Sequence, residues 1–256
     1  MITLKSSRDI EKMHLAGEIA AHARALAGEM VKPGVSTRSI DKAVHEFIIS
    51  RGAAPSFLNY DGFPASVCIS INEQVIHGIP GGRKIKEGDI VSIDVGAYIE
   101  GFHGDCAASY IAGEADDRRR KLIDITRRSF FEGLKFARAG YRVPDISHAI
   151  QTYVESAGYS VVKEFVGHGI GSLLHEEPEV PNYGNPGHGV RLVPGMTLAI
   201  EPMVNLGGPD IRVLSDGWTV ITADGEPSAH YENTVLITSG DPVILTPIDG
   251  DGSDGT

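Results

Sequence analysis

The spacing of apolar residues predicts two pairs of amphipathic helices, one pair in each half of the chain. Helical periodicity runs through residues 6–31, 37–51, 116–139 and 145–157, where apolar or small side chains recur every three or four positions. A glycine or a Pro-Gly pair follows each of these segments, as is typical of a helix end. Each helix is therefore expected to bury one face.

Several other segments alternate apolar and small residues, which predicts β-structure. The clearest is residues 90–110, a β-hairpin that turns at Glu100-Gly101. If those two residues form the loop, Asp94 faces Ala107, and Asp105 lies on the same face as Asp94. Shorter strands are expected at residues 66–71, 160–166, 196–204, 219–223 and 230–238.

The two halves of the chain repeat each other in sequence. Gly34 and Gly52, which bound the second helix, recur 106 residues later as Gly140 and Gly158, and the apolar positions between them also match. A period this long indicates a duplicated half-domain rather than a solenoid. The predicted fold class is therefore α/β (α+β), with two pseudo-symmetric helix-helix-hairpin halves around a central antiparallel sheet and the helices outside.

The repeat also predicts the domain organisation. The halves cover about residues 6–112 and 113–240, and together they are expected to form a single domain over residues 1–248. Residues 249–256 consist mainly of Gly, Asp and Ser, a composition that predicts a disordered tail.

Four acids are predicted to meet where the two hairpins pack. Asp94 in Val-Ser-Ile-Asp matches Glu201 in Leu-Ala-Ile-Glu, and Asp105 in His-Gly-Asp matches Glu232 in His-Tyr-Glu. A single aspartate at a strand end is usually an ordinary acceptor for backbone amides. Four acids at equivalent places in two repeats instead indicate one buried cluster, which needs a compensating cation or shared protons.

Divalent metal ions are the simplest cations for this cluster, because Lys and Arg are absent from the strands that carry the acids. Carboxylates with one or two imidazoles suit Mn²⁺, Fe²⁺, Co²⁺ or Zn²⁺ without choosing among them. Bridging carboxylates favour two ions roughly 3.5–4 Å apart that activate one shared water. The candidate nitrogen ligands are His168 and His175 in the glycine-rich segment 166–178, and His77. A lone histidine is more often structural, but the nearby duplicated acids favour His168.

Composition limits the classes of partner. A formal net charge of −11 argues against binding to DNA or to anionic membranes. The sequence shows no apolar run of membrane-spanning length, no targeting signal and only two cysteines, so a cytoplasmic location is expected. The basic run at residues 118–121 most simply forms a solvated helix face, and it leaves open a transient contact with the ribosome.

Six ordered motifs resemble the type I methionine aminopeptidases of the pita-bread metallopeptidase fold, peptidase family M24. The motifs are SINEQVIHGIP, DIVSIDVGAYIEGFHGDCA, GHGIGSLLHEEP, LAIEPMV, DGWTV and HYENTV, and the resemblance covers about residues 6–237. It implies a monomeric enzyme that removes the N-terminal methionine from nascent polypeptides when the second residue is small. It also implies that a metal-bridging hydroxide attacks the first peptide bond.

The resemblance further implies the roles of individual residues. Two divalent ions would be held by Asp94, Asp105, His168, Glu201 and Glu232. His77 would contact the substrate near the scissile amide, His175 would polarise the carbonyl, and Glu201 would shuttle a proton. The pocket for the methionine side chain maps onto Phe57, Tyr60, Phe63, Cys68, Leu174 and Trp218. Ile76, Cys106, Leu174 and Asn233 depart from the residues most common in the family, and none of the four is an implied metal ligand.

Three other interpretations remain at this stage. A proline-specific relative, aminopeptidase P or prolidase, would carry a sizeable extra N-terminal domain. A metal-free relative such as creatinase would lack ligands. A binding protein of the same fold that captures polypeptide or RNA would also be expected to have lost ligands, whereas all five are present in this sequence.

Overall fold

An antiparallel sheet of nine strands forms the centre of the protein, in a computed structural model that describes residues 2–247. Two further sheets have three strands each. The strands are β1 (Ala54–Pro55), β2 (Cys68–Ile71), β3 (Gln74–Ile76), β4 (Ile90–Ile99), β5 (Phe102–Ile111), β6 (Ser160–Val161), β7 (Gly167–Gly169), β8 (Glu176–Val180), β9 (Thr197–Ile200), β10 (Met203–Asn205), β11 (Ile211–Val213), β12 (Val220–Thr222), β13 (Ser228–His230), β14 (Glu232–Leu236) and β15 (Val243–Ile244).

Helices lie in both halves of the described chain, as the periodicity predicts. They are α1 (Ser7–Glu29), α2 (Thr37–Ser50), α3 (Asp117–Leu134) and α4 (Val143–Ser156). The two helices of the first half match their predicted limits to within two residues. A reciprocal cap fixes the start of α1, because the Ser6 side chain accepts from the Asp9 amide and the Asp9 carboxylate accepts from the Ser6 amide.

The helices of the second half differ from the prediction at their ends. α3 stops at Leu134, five residues before the predicted end, because the next amides bond three residues back in tight turns and the Ala139 amide donates to the Thr238 carbonyl. α4 begins at Val143, two residues before the predicted start. Pro144 lies in its first turn, where a missing N–H costs no helical hydrogen bond.

The order of strands in the large sheet shows the predicted pseudo-symmetry. The order is β1-β4-β5-β14-β9-β7-β8, with β2 also paired to β4 and β15 to β14. The hairpin register is confirmed, since Ile99 pairs with Phe102 and Asp94 pairs with Ala107. The pair β4-β5 from the first half meets β9-β14 from the second half at a seam, where Ala107 also pairs with Glu232. Asp94 and Glu232 therefore lie in line on either side of Ala107.

Two predicted strands, residues 196–204 and 230–238, are each broken in two. The chain leaves the large sheet after β9 and enters a three-stranded sheet as β10, because Pro202 between them has no amide to donate. The Pro202 carbonyl accepts from the Tyr231 amide at 3.2 Å, at the point where β13 changes to β14. These two crossings place Glu201 and Glu232 at strand ends beside the seam.

The shorter predicted strands are confirmed only in part. Those at residues 66–71 and 219–223 form over Cys68–Ile71 and Val220–Thr222. The one at residues 160–166 forms only over Ser160–Val161, and the next strand is Gly167–Gly169. The loop between β6 and β7 leads into β7, where His168 lies at the edge of β9.

Each half of the molecule buries its own helix pair against the sheet. Ile40 and Val44 of α2 pack in one cluster with Ile93 of β4, and Ile146 of α4 packs in a second cluster with Leu198 of β9. The two clusters hold the seam rigidly from both sides.

The limits of the single domain and of its two halves stay predictions, and the expected tail at residues 249–256 lies outside the described residues. Within residues 2–247, no helix combines the length and apolar character needed to cross a membrane.

Candidate metal centre and active site

The four acids predicted from the repeat converge at the seam of the large sheet. Asp94 on β4 and Glu232 on β14 face the same pairing position, Ala107, from opposite sides. Asp105 lies two residues before Ala107 on β5, and its side chain therefore shares that face. Glu201 follows the last residue of β9, which pairs next to Glu232. The duplicated topology thus brings the acids of both halves to one place.

The acid cluster is buried and short of hydrogen-bond partners. One oxygen each of Asp94, Asp105 and Glu232 is buried with no hydrogen bond within the described part of the chain. Burial raises the pKa of Asp94 to about 7. Burial, followed by the charges of neighbouring acids, also raises the pKa of Asp105, Glu201 and Glu232 well above their ordinary values. A cluster of this kind favours a bound cation.

His168 supplies a nitrogen donor to the same cluster. One atom each of Asp105, His168 and Glu232 lie within 4.8 Å of one another, an arrangement that could hold a metal ion. The Nδ1 atom of His168 donates to the Gly169 carbonyl at 2.8 Å, which leaves the Nε2 lone pair 3.6 Å from Oε1 of Glu201. Burial, with the nearby charge of His175, lowers the pKa of His168 to about 3, so the ring is neutral. A neutral imidazole with a free lone pair is the form that binds metal.

Two glycines allow the His168 strand to pack this closely. A Cβ at Gly167 would lie 2.3 Å from the Ala199 carbonyl oxygen, and one at Gly169 would lie 2.3 Å from that of Glu177. Any other residue would push β7 away from β8 and β9. The glycines flanking His168 thus set the distance between its ring and the acids.

The other two predicted histidines, His77 and His175, each contact aromatic side chains. The Tyr60 hydroxyl and Nδ1 of His175 lie 2.6 Å apart. His77 adopts a left-handed backbone conformation with φ of 57°, and its ring packs edge-on against Phe165 and Trp218. Burial, with the nearby charge of His175, lowers the pKa of His77 to about 4. His77 is therefore uncharged near neutral pH.

The acids, the histidines and an apolar wall all line one cavity of about 210 Å³. All thirteen residues predicted for the site line it, together with Asp61, and they are Phe57, Tyr60, Phe63, Cys68, His77, Asp94, Asp105, His168, Leu174, His175, Glu201, Trp218 and Glu232. Phe63 and Trp218 meet edge-to-face with ring centroids 5.1 Å apart. Cys68 pairs with Asp94 in the sheet, so the apolar wall begins beside the acids.

Sequence reasoning gave little weight to some residues near the site. Nε2 of His230 lies 3.8 Å from Oε2 of Glu201 and 3.9 Å from Oε2 of Glu232. This position beside two acids suits a role in supporting the proposed ligands. Asp61 had no signal except its place next to Tyr60. Lys5 and Glu176 form a buried ion pair at 2.5 Å behind the loop that carries His175, and 171 residues separate them in sequence.

Comparisons with known proteins show the family of this chain. The family model for metallopeptidase family M24 matches residues 11–239. The methionine aminopeptidase of Clostridium perfringens is 53% identical over 97% of this chain and 100% of its own length. Methionine aminopeptidase 1 of Bacillus subtilis is 49% identical over 97% of this chain and 100% of its own. The crystal structure of methionine aminopeptidase from Thermotoga maritima superposes with a TM-score of 0.95 at 44% identity, covering 97% of this chain and 100% of that one. The chain therefore belongs to metallopeptidase family M24, within its methionine aminopeptidases.

Proposed function

We propose that this protein removes the N-terminal methionine from peptides by metal-dependent hydrolysis of the first peptide bond. The observation that carries the proposal is the single cavity in which buried acids and neutral histidines adjoin an apolar wall. The close similarity to methionine aminopeptidases over nearly the whole chain supports the same reaction.

The donor set fits divalent cations. Asp94, Asp105, His168, Glu201 and Glu232 would hold them, because these residues combine buried acceptors that lack partners with a neutral imidazole. We propose two ions per chain, chosen from Fe²⁺, Mn²⁺, Co²⁺ and Zn²⁺. When bound, such ions lower the pKa of a coordinated water and polarise the substrate carbonyl.

His175 is placed to stabilise the negative charge that develops on the carbonyl oxygen. We propose that the Tyr60 hydroxyl, 2.6 Å from Nδ1, is the donor in this pair, which keeps the proton of the neutral ring on Nε2. That N–H is then available to the carbonyl oxygen, and its hydrogen bond strengthens as the oxyanion forms. Tyr60 therefore sets the tautomer as well as lining the pocket.

Glu201 and His77 complete the proposed roles. Glu201 directly follows β9 beside the other acids, where its carboxylate would take a proton from the attacking water and pass it to the leaving amine. Neutral His77 is held against Phe165 and Trp218 at the other wall of the cavity, where it would contact the backbone of the substrate near the cleaved bond.

The apolar wall suits a methionine side chain. Phe57, Phe63, Leu174 and Trp218 offer aromatic and aliphatic contacts, and Cys68 adds a soft sulfur atom. Unbranched thioethers fit such surfaces because they adapt their shape. The small volume of the cavity leaves little room beyond the first residue, which agrees with a preference for a small second residue.

The cellular setting is proposed from the sequence. We place the enzyme in the cytoplasm as a monomer that acts on nascent polypeptides, with transient ribosome contact. In the basic run at residues 118–121, Arg118 pairs with Glu226, Arg119 with Asp116, and Arg120 with Glu114, so three of its four residues already face acids. These pairs favour the interpretation of that run as a solvated helix face.

An anaerobic reconstitution assay tests the proposed function. Protein stripped with a chelator is titrated separately with Fe²⁺, Mn²⁺, Co²⁺ and Zn²⁺, and free methionine released from Met-Ala-Ser is measured. We expect release by the wild type and none by an Asp94→Ala/His168→Ala double variant. Folded wild type that releases no methionine with any of the metals would overturn the proposal.

Two further peptides sharpen the assay. N-acetylated Met-Ala-Ser should not be cleaved, because it lacks the free amine that would sit against the metal-binding acids. Met-Leu-Ser should be cleaved far more slowly than Met-Ala-Ser, because its second side chain is bulky. Equal rates on Met-Leu-Ser and Met-Ala-Ser would contradict the proposed second-residue preference.

A further inference from the structure

The loop over residues 171–175, between β7 and β8, carries two of the proposed site residues and lines two cavities. It presents Leu174 and His175 to the active-site cavity. A second cavity of about 530 Å³ lies on its outer side, and His168 and His175 line both cavities. Leu173 on the loop is 64% exposed. The loop therefore separates two cavities, and contacts at its ends are needed to fix its position.

Glu176 provides the attachment at the end of the loop. One of its carboxylate oxygens accepts from the Leu173 amide at 3.2 Å, and the other lies 2.5 Å from Nζ of Lys5. The two charged side chains are only 3% and 7% exposed. Lys5 therefore fixes the carboxylate that in turn holds the loop.

Lys5 is itself anchored to the sheet. Its amide donates to the Gly195 carbonyl at 2.7 Å, and the Gly195 amide donates to the Ile237 carbonyl at 3.0 Å. Gly171, at the start of the loop, packs directly on the ion pair, since a Cβ there would lie 2.5 Å from Oε1 of Glu176. A chain of contacts therefore runs from the large sheet through Lys5 to the loop.

We propose that Lys5 is a positioning residue for the reaction: through Glu176 it holds loop 171–175 so that His175 and Leu174 keep their places in the cavity. The inference rests on the proposed function. A buried ion pair is often no more stable than an apolar pair of similar volume, so stability alone does not account for two buried charges here. Their geometry instead fixes a loop that carries site residues.

A double variant separates positioning from stability. Lys5→Met/Glu176→Leu replaces the buried pair with apolar side chains, so its thermal midpoint should stay near that of the wild type. We expect kcat/KM on Met-Ala-Ser to fall by about 100-fold, the order of loss caused by a misplaced catalytic group. Metal affinity, measured by calorimetry, should be unchanged because neither residue is among the five proposed ligands. Lys135→Met, which breaks an exposed pair with Glu132, is the matched control and should change nothing.

Hydrogen exchange gives a readout that does not depend on activity. The amide of Leu173 should exchange faster in the double variant, because its acceptor is gone. If the double variant does not fold, Glu176→Gln keeps the shape of the side chain while removing its charge, and it should show the same two changes to a smaller degree.

The outcomes separate this inference from the proposed function. Wild type that releases no methionine overturns the proposed function, and the exchange of Leu173 still reports on the loop. An active wild type with wild-type kcat/KM in the folded variant overturns the inference. A metal affinity that falls in step with activity also overturns it, because the pair would then act on the metal ligands instead.

Discussion

Several acidic residues in this protein are buried, so ionising them is energetically costly. Asp94, Asp105 and Glu232 each leave a buried oxygen without a hydrogen bond in the described chain, and the pKa of each is raised. A fold tolerates such a cluster when a cation compensates it or when protons are retained. The residues proposed to bind metal should therefore weaken the metal-free protein.

Asp105→Asn should separate these two effects. Removing one charge relieves repulsion, so the metal-free variant should melt at or above the temperature of the metal-free wild type. Its metal affinity should fall by more than the roughly 10–100-fold typical of residues that only support ligands. Calorimetric titration and thermal melts measure both quantities. A metal-free variant that melts well below the wild type would contradict this account of the cluster.

Leu174→Ala should widen the pocket. Leu174 is 2% exposed and packs in the cluster that lines the cavity. Losing its side chain should lower the free energy of unfolding by about 2–5 kcal/mol. It should also raise KM for Met-Ala-Ser and increase relative activity on peptides with a bulkier first residue. Unchanged selectivity among first residues would show that Leu174 does not bound the pocket.

Elements position the site through close backbone packing and through breaks between strands. β7 lies between β8 and β9, with glycines on either side of His168. β9 ends and β14 begins where the chain crosses between sheets, and Glu201 and Glu232 at these crossings line the cavity. The geometry of the site therefore depends on how strands end as well as on their order.

Gly169→Ala tests the close packing of β7. The added methyl would overlap the Glu177 carbonyl, so β7 must shift and His168 must move with it. We expect weaker metal binding and a lower melting temperature. Gly81→Ala is the matched control, since a Cβ there meets nothing within 4 Å, and it should leave both unchanged. Wild-type metal affinity in Gly169→Ala would show that the spacing of β7 does not matter.

Some elements could be predicted from sequence and others could not, for physical reasons. The hairpin register followed from period-two alternation and a two-residue turn, both of which are local. β1, β3, β7, β8, β11 and β15 were missed because each has five residues or fewer, too few to show a clear alternating pattern. Residues 196–204 were wrongly predicted to form one strand. The apolar pattern continues through Pro202, but the hydrogen bonding between strands is interrupted there.

The site was predictable where duplication supplied a signal. Four acids at matched positions predict a cluster even though each acid alone is uninformative. Lys5 and Glu176 carry no such signal, since their pairing depends on the tertiary fold across 171 residues. The role of His230 could not be predicted from sequence either, because only the crossing at Tyr231 brings its ring beside Glu201 and Glu232.

The whole molecule couples metal binding to folding and to pH. A carboxyl whose pKa is raised on folding costs stability as pH rises from its unfolded to its folded pKa, because the unfolded chain ionises first. Asp94 has a folded pKa of about 7, so its contribution to the metal-free protein is lost between roughly pH 4 and 7. The pKa of about 3 keeps His168 neutral over most of that range.

Metal affinity should therefore rise with pH. Metal displaces the protons held by the carboxyls, and each proton released makes binding about tenfold tighter per pH unit. We expect the metal-induced rise in melting temperature to be larger at pH 7 than at pH 5.5, measured with Mn²⁺ in buffers of equal ionic strength. A rise that does not depend on pH would contradict the protonation of these acids in the metal-free protein.

Anomalous diffraction from crystals grown with Mn²⁺ tests most directly the claim that two duplicated halves build one metal centre. The account predicts two adjacent anomalous peaks between Asp94 and Asp105 of the first half and Glu201, Glu232 and His168 of the second. Absence of a peak among these residues, or a peak elsewhere in the molecule, would contradict it.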